Sequence, residues 1–495
     1  MYIKRTNTPR LITEIFPKFV ANFCKRFCPT AKFCLTNAIF TPLSPTSQSI
    51  MITAMIALFV LGYLGIALEH ILKINKATFA LLLCGLLWTI YALVGHDPNM
   101  GSELTVALGD TCEIVVFLIG AMTIVELIDR YGGFNYLVSR ISAKSKRGLL
   151  WVMAFVAFFV SALLDNMTTT IIMVMMLRRM IADQKERWTF AAVIVIAANS
   201  GGVWSPIGDI TTIMLWMKNC VTSVDLITNL FLPALASVVV PVLIASRTIG
   251  KGPLEPLNSQ DSRTGYVLSE HHPRLSHFIL GCGVAGLLFV PIFKAITHLP
   301  PYMGILISLS ILWVITEIVV NRYKLDKKME GRISQVVRRI DMSTILFFLG
   351  ILLAVQALQQ AGILKAVSTW LDTTFHEAYI INGIIGVMSS VIDNVPLVAA
   401  CMNMYPVATD AAVQASLDPT WTQIFVSDGL FWHLLTYCAG VGGSLLIIGS
   451  AAGVVAMSIE KIPFIWYLKR ITWIAFLGYL AGIAVIALET LFIAI

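Results

Sequence analysis

Two acid–amide pairs stand 228 residues apart in apolar surroundings. They are Asp165-Asn166 in Ser161-Ala162-Leu163-Leu164-Asp165-Asn166 and Asp393-Asn394 in Ser389-Ser390-Val391-Ile392-Asp393-Asn394. A third acid, Asp209, closes the run Asn199-Ser200-Gly201-Gly202-Val203-Trp204-Ser205-Pro206-Ile207-Gly208-Asp209, with Thr211 and Thr212 just beyond. Glu113 and Glu126 add two more acids within 104–128. An ionised carboxylate held in an apolar phase costs about 2.5–3.5 kcal/mol on insertion scales, so it needs a partner. No obvious buried Lys or Arg accompanies these acids, so the expected counter-charge is a mobile cation or a proton. Two glycines, Pro206 and Gly208 cannot all sit in a regular helix. The stretch is expected to unwind and turn carbonyl oxygens, the ligands of hard cations, inward. Its counterpart, Gly440 to Ser450, keeps the glycines but lacks the Pro and the Asp. The two half-sites are therefore unequal, and Ser444 and Ser450 are the weaker candidates. The plainer alternatives are helix N-caps for the Asp-Asn pairs and packing positions for the glycines.

These residues need elements that hold them inside a membrane. Of 495 residues, 57% are hydrophobic and 13% charged. A soluble chain usually carries about 25% charged residues, so an ordinary cytosolic enzyme, a disordered chain and a fibrous one are excluded. Spanning helices need roughly 20 apolar residues, and such runs lie at 52–68, 77–95, 104–128, 149–177, 189–217, 225–246, 275–296, 303–320, 342–358, 378–405, 428–456 and 471–494. Short basic loops stay cytoplasmic. The loops on both sides of 149–177 are basic, and those on both sides of 378–405 carry almost no Lys or Arg. Each of these two segments is therefore expected to enter and return on one side, with its Asp-Asn pair at the tip. That assignment leaves 25 bases on one side of the membrane and 2 on the other. The net charge of +7 argues nothing for nucleic acid, because seven bases lie in residues 1–50.

The chain also repeats itself. Phe117-Leu118-Ile119-Gly120 matches Phe347-Phe348-Leu349-Gly350, the two Asp-Asn tips match, and Gly201-Gly202 with Gly208 matches Gly442-Gly443 with Gly449. The copies start on opposite sides, so they are inverted. Inverted repeats with broken helices place the substrate near the bilayer midplane. The expected fold is an all-α polytopic membrane protein with about ten transmembrane helices and two re-entrant hairpins. The expected divisions are a tail at 1–50, N-terminal helices at 51–103, a first repeat at 104–246, a connecting loop and helices at 247–341, and a second repeat at 342–495.

The tail carries Lys4, Arg5, Arg10, Lys18, Lys25, Arg26 and Lys32 against Glu14 alone. This composition fits an organelle transit peptide. The favoured reading is nevertheless an upstream start or dispensable extension, with Met51 opening the functional chain, and a membrane-surface helix is the third alternative. The nine cysteines include no Cys-x-x-Cys, and Cys24, Cys28 and Cys34 have no His nearby, so neither a disulfide framework nor a metal site is expected.

Together, Phe117 to Asp129, Leu164 to Thr170, Asn199-Ser200-Gly201-Gly202 with Ser205 to Thr212, and Gly442-Gly443-Ser444 with Ile448 to Gly453 resemble the NhaD-type sodium/proton antiporters of the ion transporter superfamily. The resemblance covers about residues 52–494. It implies a secondary transporter, not an enzyme, exchanging Na⁺, or Li⁺, for H⁺ in pH homeostasis. It implies a cation- and proton-binding set of Asp165, Asn166, Thr168, Asn199, Ser205, Asp209, Thr211, Thr212, Asp393, Asn394, Ser444 and Ser450. Na⁺ is expected at Asp165, Asp209 and Asp393, with Glu113 and Glu126 on a proton path and no cofactor. Lipid, small cations and a second copy of the chain are the expected partners. A bacterial inner membrane is the expected location, with a plastid envelope as the alternative if the tail is a transit peptide. The competing function is a sodium-coupled carboxylate symporter or an arsenite-type permease. Carboxylate symporters of this superfamily tend to carry Ser-Asn-Thr at both tips, whereas Asp at both tips here repels a dicarboxylate.

Overall fold

In lipid, a backbone must satisfy its own hydrogen bonds, and a helix does so within one segment. The computed structural model describes residues 45–67, 69–95, 100–133, 145–249, 273–322, 336–391 and 393–493. Among them the elements are helices, with one isolated bridge between Ala408 and Val426. The expectations for the tail before residue 45 lie outside the described residues.

The first half runs α1 (Pro45–Ala67), α2 (Glu69–Leu72), α3 (Lys76–Gly95), α4 (Met100–Arg130), α5 (Lys146–Leu164), α6 (Asn166–Met180), α7 (Gln184–Val203), α8 (Ile210–Met217) and α9 (Ser223–Thr248). The second runs α10 (Pro273–Thr297), α11 (Pro301–Arg322), α12 (Met342–Gln360), α13 (Ile363–Thr374), α14 (Ala378–Met388), α15 (Asn394–Met404), α16 (Asp410–Ala415), α17 (Pro419–Gln423), α18 (Leu430–Gly442), α19 (Ala451–Glu460), α20 (Phe464–Arg470) and α21 (Thr472–Ile493). Nine described helices are long and apolar enough to cross a membrane, α5 among them. Leu93, Val106 and Phe492 are 70%, 64% and 76% exposed, as side chains facing lipid must be.

Ion pairs and ring stacks show where the hairpins begin and end. Lys146, which opens α5, places Nζ 2.6 Å from Glu186 Oε1 in the first turn of α7. Arg178 near the end of α6 and Arg187 in α7 lie 2.8 and 2.9 Å from the two oxygens of Glu460, the last residue of α19. The start of α5, the end of α6 and the start of α7 therefore share one end of the molecule, and α5–α6 turns back at Asp165. At the other end, His376 before α14 stacks on Trp421 at 4.5 Å. Tyr405 after α15 stacks on Phe425 at 4.9 Å, and Phe425 meets Phe431 of α18 at 4.8 Å. Hairpin α14–α15 therefore returns to that second end. Its helices have 11 residues each, about 16 Å of helix against a hydrocarbon core of about 30 Å.

The broken helices α7–α8 and α18–α19 connect the two ends in opposite directions. Beyond α8, Cys220 O accepts from Asp428 N at 2.9 Å and Asn219 O accepts from Ser427 Oγ at 2.8 Å. With α5 set aside as a returning arm, eight long helices remain among the described residues, and α7–α8 and α18–α19, each joining the two ends, bring the crossings to ten.

The two halves use the same contacts. Ser161 Oγ donates to Ala198 O at 2.6 Å, and its counterpart Ser389 Oγ donates to Ala439 O at 2.7 Å. A Cβ on Gly201 would lie 2.1 Å from Phe158 O, and one on Gly442 2.1 Å from Gly386 O. Glycine is required at both because a backbone passes there. The packing also crosses between halves. Helix α3 lies along α12, α11 lies along α4, and α9 runs against α21. The pairs α1/α3 and α10/α11 each precede the helix that opens a matched segment.

Candidate functional site

Four half-helices start at the centre: α6, α8, α15 and α19. Each leaves its first backbone N–H groups without intrahelical acceptors and points the positive end of its dipole inward. Each has a side-chain cap. Asp165 Oδ1 accepts from Thr168 N at 2.8 Å and Asp209 Oδ1 from Thr211 N at 3.3 Å. Asp393 Oδ1 accepts from Val395 N at 3.4 Å and Ser450 Oγ from Gly453 N at 3.2 Å. Three of the four caps are acids. At Asp209 and Asp393 the N-cap reading and the cation-site reading are compatible, since capping occupies one oxygen and leaves the other.

At Asp209 the second oxygen is the focus of the site. Asn166 Nδ2 donates to Oδ2 at 3.1 Å and Asn394 Nδ2 donates to the same oxygen at 3.3 Å. The amides of both hairpin tips thus converge on one carboxylate that is 1% exposed. Asn166 Nδ2 also reaches Asn199 Oδ1 at 3.1 Å. Asn199 Nδ2 donates to Ser444 Oγ at 2.9 Å and Ser450 Oγ at 2.8 Å. The repeat counterpart of Asn199 is Gly440, where a Cβ would lie 2.2 Å from the Val203 side chain. Asn166, Asn199, Asn394, Ser444 and Ser450 are all buried. The serines of the second half-site thus join the core of the network.

The other expected residues lie around it. Thr168 donates its hydroxyl to Asp165 Oδ2 at 2.8 Å, so both oxygens of Asp165 are engaged by its own helix. Ser205 Oγ donates to Ala162 O at 2.6 Å, fastening the unwound segment to the first hairpin. Thr212 Oγ1 donates to Gly202 O at 3.3 Å across the break. The Thr211 hydroxyl is buried next to the Asp209 cap. Glu126 lies 3.9 Å from Arg130 one turn along α4. Glu113 is half-buried 13 residues earlier on that helix, about 20 Å away along its axis.

One expectation is corrected. A fixed cation does stand beside the acids: Lys76 Nζ lies 3.0 Å from Asp393 Oδ2, with side chains 24% and 18% exposed. Its ammonium also sits 4.3 Å from the centre of the Phe347 ring. Lys76 opens α3 and, in the charge pattern, counts as one more base of a basic loop. No spacing signal links it to a residue 317 positions away.

The chain matches the citrate transporter family over residues 49–426. It is 41% identical over 432 residues to Sodium/proton antiporter 1 of Arabidopsis thaliana, covering 87% of this chain and 71% of that one. It is 42% identical to Sodium/proton antiporter 2 of the same plant, covering 87% and 97%. It is 30% identical to the Na(+)/H(+) antiporter NhaD of Vibrio cholerae serotype O1, covering 91% and 96%.

Proposed function

Because this chain belongs to the citrate transporter family and, within it, to the NhaD-type sodium/proton antiporters, we propose that it exchanges Na⁺ for H⁺ at Asp209. The observation that carries this reading is the convergence of both hairpin-tip amides on one buried carboxylate oxygen. A carboxylate taken out of water is penalised in its charged form, and either a proton or a cation removes the penalty. Na⁺ and H⁺ then exclude one another at one group. Two hairpins entering from opposite ends and meeting there supply the alternating access.

Carboxylate symport, the competing reading, is disfavoured by the donor balance. An anion needs free N–H groups at the tips, and the Asn166 and Asn394 amides are already given to Asp209. Asp165 and Asp393 add like charge within electrostatic reach of Asp209. The decisive experiment uses everted vesicles from a host without its own sodium/proton antiporters. Na⁺ should discharge an imposed pH gradient in vesicles holding the wild-type protein and fail to do so with Asp209→Asn. Citrate-driven uptake without sodium-linked proton movement would reverse the assignment.

For the compartment we propose an organelle envelope. The basic, acid-poor tail supports it. A fluorescent protein fused behind residues 1–50 should be imported by isolated plastids. Failure of import returns the assignment to a bacterial-type inner membrane.

A further inference from the structure

We propose that Lys76 is a tethered cation occupying the carboxylate of the second hairpin, and that Na⁺ gains that carboxylate by displacing it. Asp393 needs such a partner. Three residues after Asp165 stands Thr168, whose N–H and hydroxyl satisfy both carboxylate oxygens. Three residues after Asp393 stands Pro396, which has no N–H and no hydroxyl. The second oxygen of Asp393 is taken by Lys76 instead.

The inverted repeat shows that the lysine is an addition. Helix α3 packs on α12 where Ala80 meets Gly350, and α11 packs on α4 where Ile305 meets Gly120. Lys76 is the first residue of α3, and the first residue of α11 is Pro301. The first half-site therefore has no ammonium in this place.

Surroundings favour exchange over a permanent strut. A cavity of about 50 Å³ is lined by Tyr63, Glu69, Lys76, Asp393 and Ser450. At about 10–15 Å³ per water it holds a few molecules. The Tyr63 hydroxyl is buried in the cavity wall within electrostatic reach of Asp393, so a further polar group lines the way to that carboxylate. Ser450 joins this cavity to the central network through Asn199. The ion pair is partly exposed, and such pairs are weak. A lysine ammonium is a compact, hydrated point charge on a flexible stem. When Na⁺ arrives through the cavity and takes Asp393, the ammonium swings toward Glu69, and the carboxylate is never left bare.

This inference rests on the exchange reading, and its test separates the two. The Na⁺-dependent rise in Tm is measured on the full chain in detergent, and the Na⁺ KM in everted vesicles, both at fixed pH. Lys76→Gln removes the competitor and should strengthen apparent Na⁺ affinity about three- to fivefold, the worth of a partly exposed pair. Lys76→Arg keeps a competing cation and, by pairing bidentately with Asp393 and stacking on Phe347, should hold apparent Na⁺ affinity at or below the wild-type value. Adding Asp393→Asn to Lys76→Gln should cancel the gain. If Lys76→Gln does not fold, Lys76→Met, which keeps the stem over Phe347, is read in the same way. A folded neutral variant with unchanged or weaker Na⁺ affinity makes Lys76 a strut and overturns the proposal. Stronger Na⁺ binding in detergent with no sodium-linked proton movement in wild-type vesicles would uphold Lys76 and sink the exchange reading instead.

Discussion

Among the described residues Asp209 accepts from neutral donors, one backbone N–H and two carboxamides, with the Thr211 hydroxyl beside them. Neutral donors stabilise its charge without cancelling it, which leaves the carboxylate able to take a cation or a proton. Asp209→Asn keeps the shape and removes the charge, so the variant should insert normally and show only background exchange. Normal exchange kinetics in that variant would reduce Asp209 to a helix cap. Direct competition also fixes the pH dependence. Below the apparent pKa of the site a proton occupies it, so the Na⁺ KM should fall about tenfold for each pH unit of increase, one proton leaving for each Na⁺ bound. Above that range the KM should level off. A KM that does not move with pH would place Na⁺ and H⁺ on separate sites. At this scale the acids and amides were legible in the sequence as polar residues in apolar runs. The role of Lys76 was not, because a lysine at a helix start reads as a loop base wherever it points.

The broken helices depend on backbone contact that side chains would prevent. Gly201→Ala would push a methyl into Phe158 O, and Gly442→Ala would do the same at Gly386 O. Overpacking of this kind costs about 1–3 kcal/mol. Each variant should therefore show a lower Tm and impaired exchange, and two variants with wild-type values would mean that the hairpins yield easily. A second element-scale test is Glu460, which is fully buried and holds Arg178 and Arg187. Losing one partner of a buried ion pair costs about 3–5 kcal/mol. Arg178 is 42% exposed, so Glu460→Gln should sit at the lower end of that range, read as a Tm several degrees below wild type. The hairpins were legible from charge alternation, but their inequality was not. The first turns on one residue, Asp165 at φ +89°, and has arms of 19 and 15 residues. The second has arms of 11 residues, ending at Met388 and starting again at Asn394. Apolar runs of 29 and 28 residues look alike until the turn geometry divides them.

At the scale of the whole molecule, Lys185 and Ala415 lie at opposite ends, one beside the Glu460 cluster and the other in the base-poor segment after α15. Cysteines at these two positions should label from opposite faces of a membrane, and labelling from one face would break the inverted arrangement. The cavity at Lys76 lies beside α2 and α3. If each cycle moves more protons than Na⁺, each net charge is worth about 2.3 kcal/mol per 100 mV. An imposed potential, interior negative, should then speed Na⁺ exit at constant pH gradient.

The sequence by itself determined the membrane setting, the inverted repetition, the hairpin sides and the polar residues at the tips. Each follows from something local: apolar run length, the bases flanking it, and glycines or acids at matching spacings. Only the tertiary structure decided which of these polar groups meet. Both tip amides turn toward Asp209, Asn199 bridges to the two serines of the weaker half, and Asp165 is satisfied within its own turn. Asp393 is met by a lysine from a helix that the sequence places among the N-terminal spans. Periodicity and charge counts act along the chain, whereas these contacts join residues up to 317 positions apart. The packing of α3 against α12 brings Lys76 to Asp393, and no pattern within either helix encodes the other.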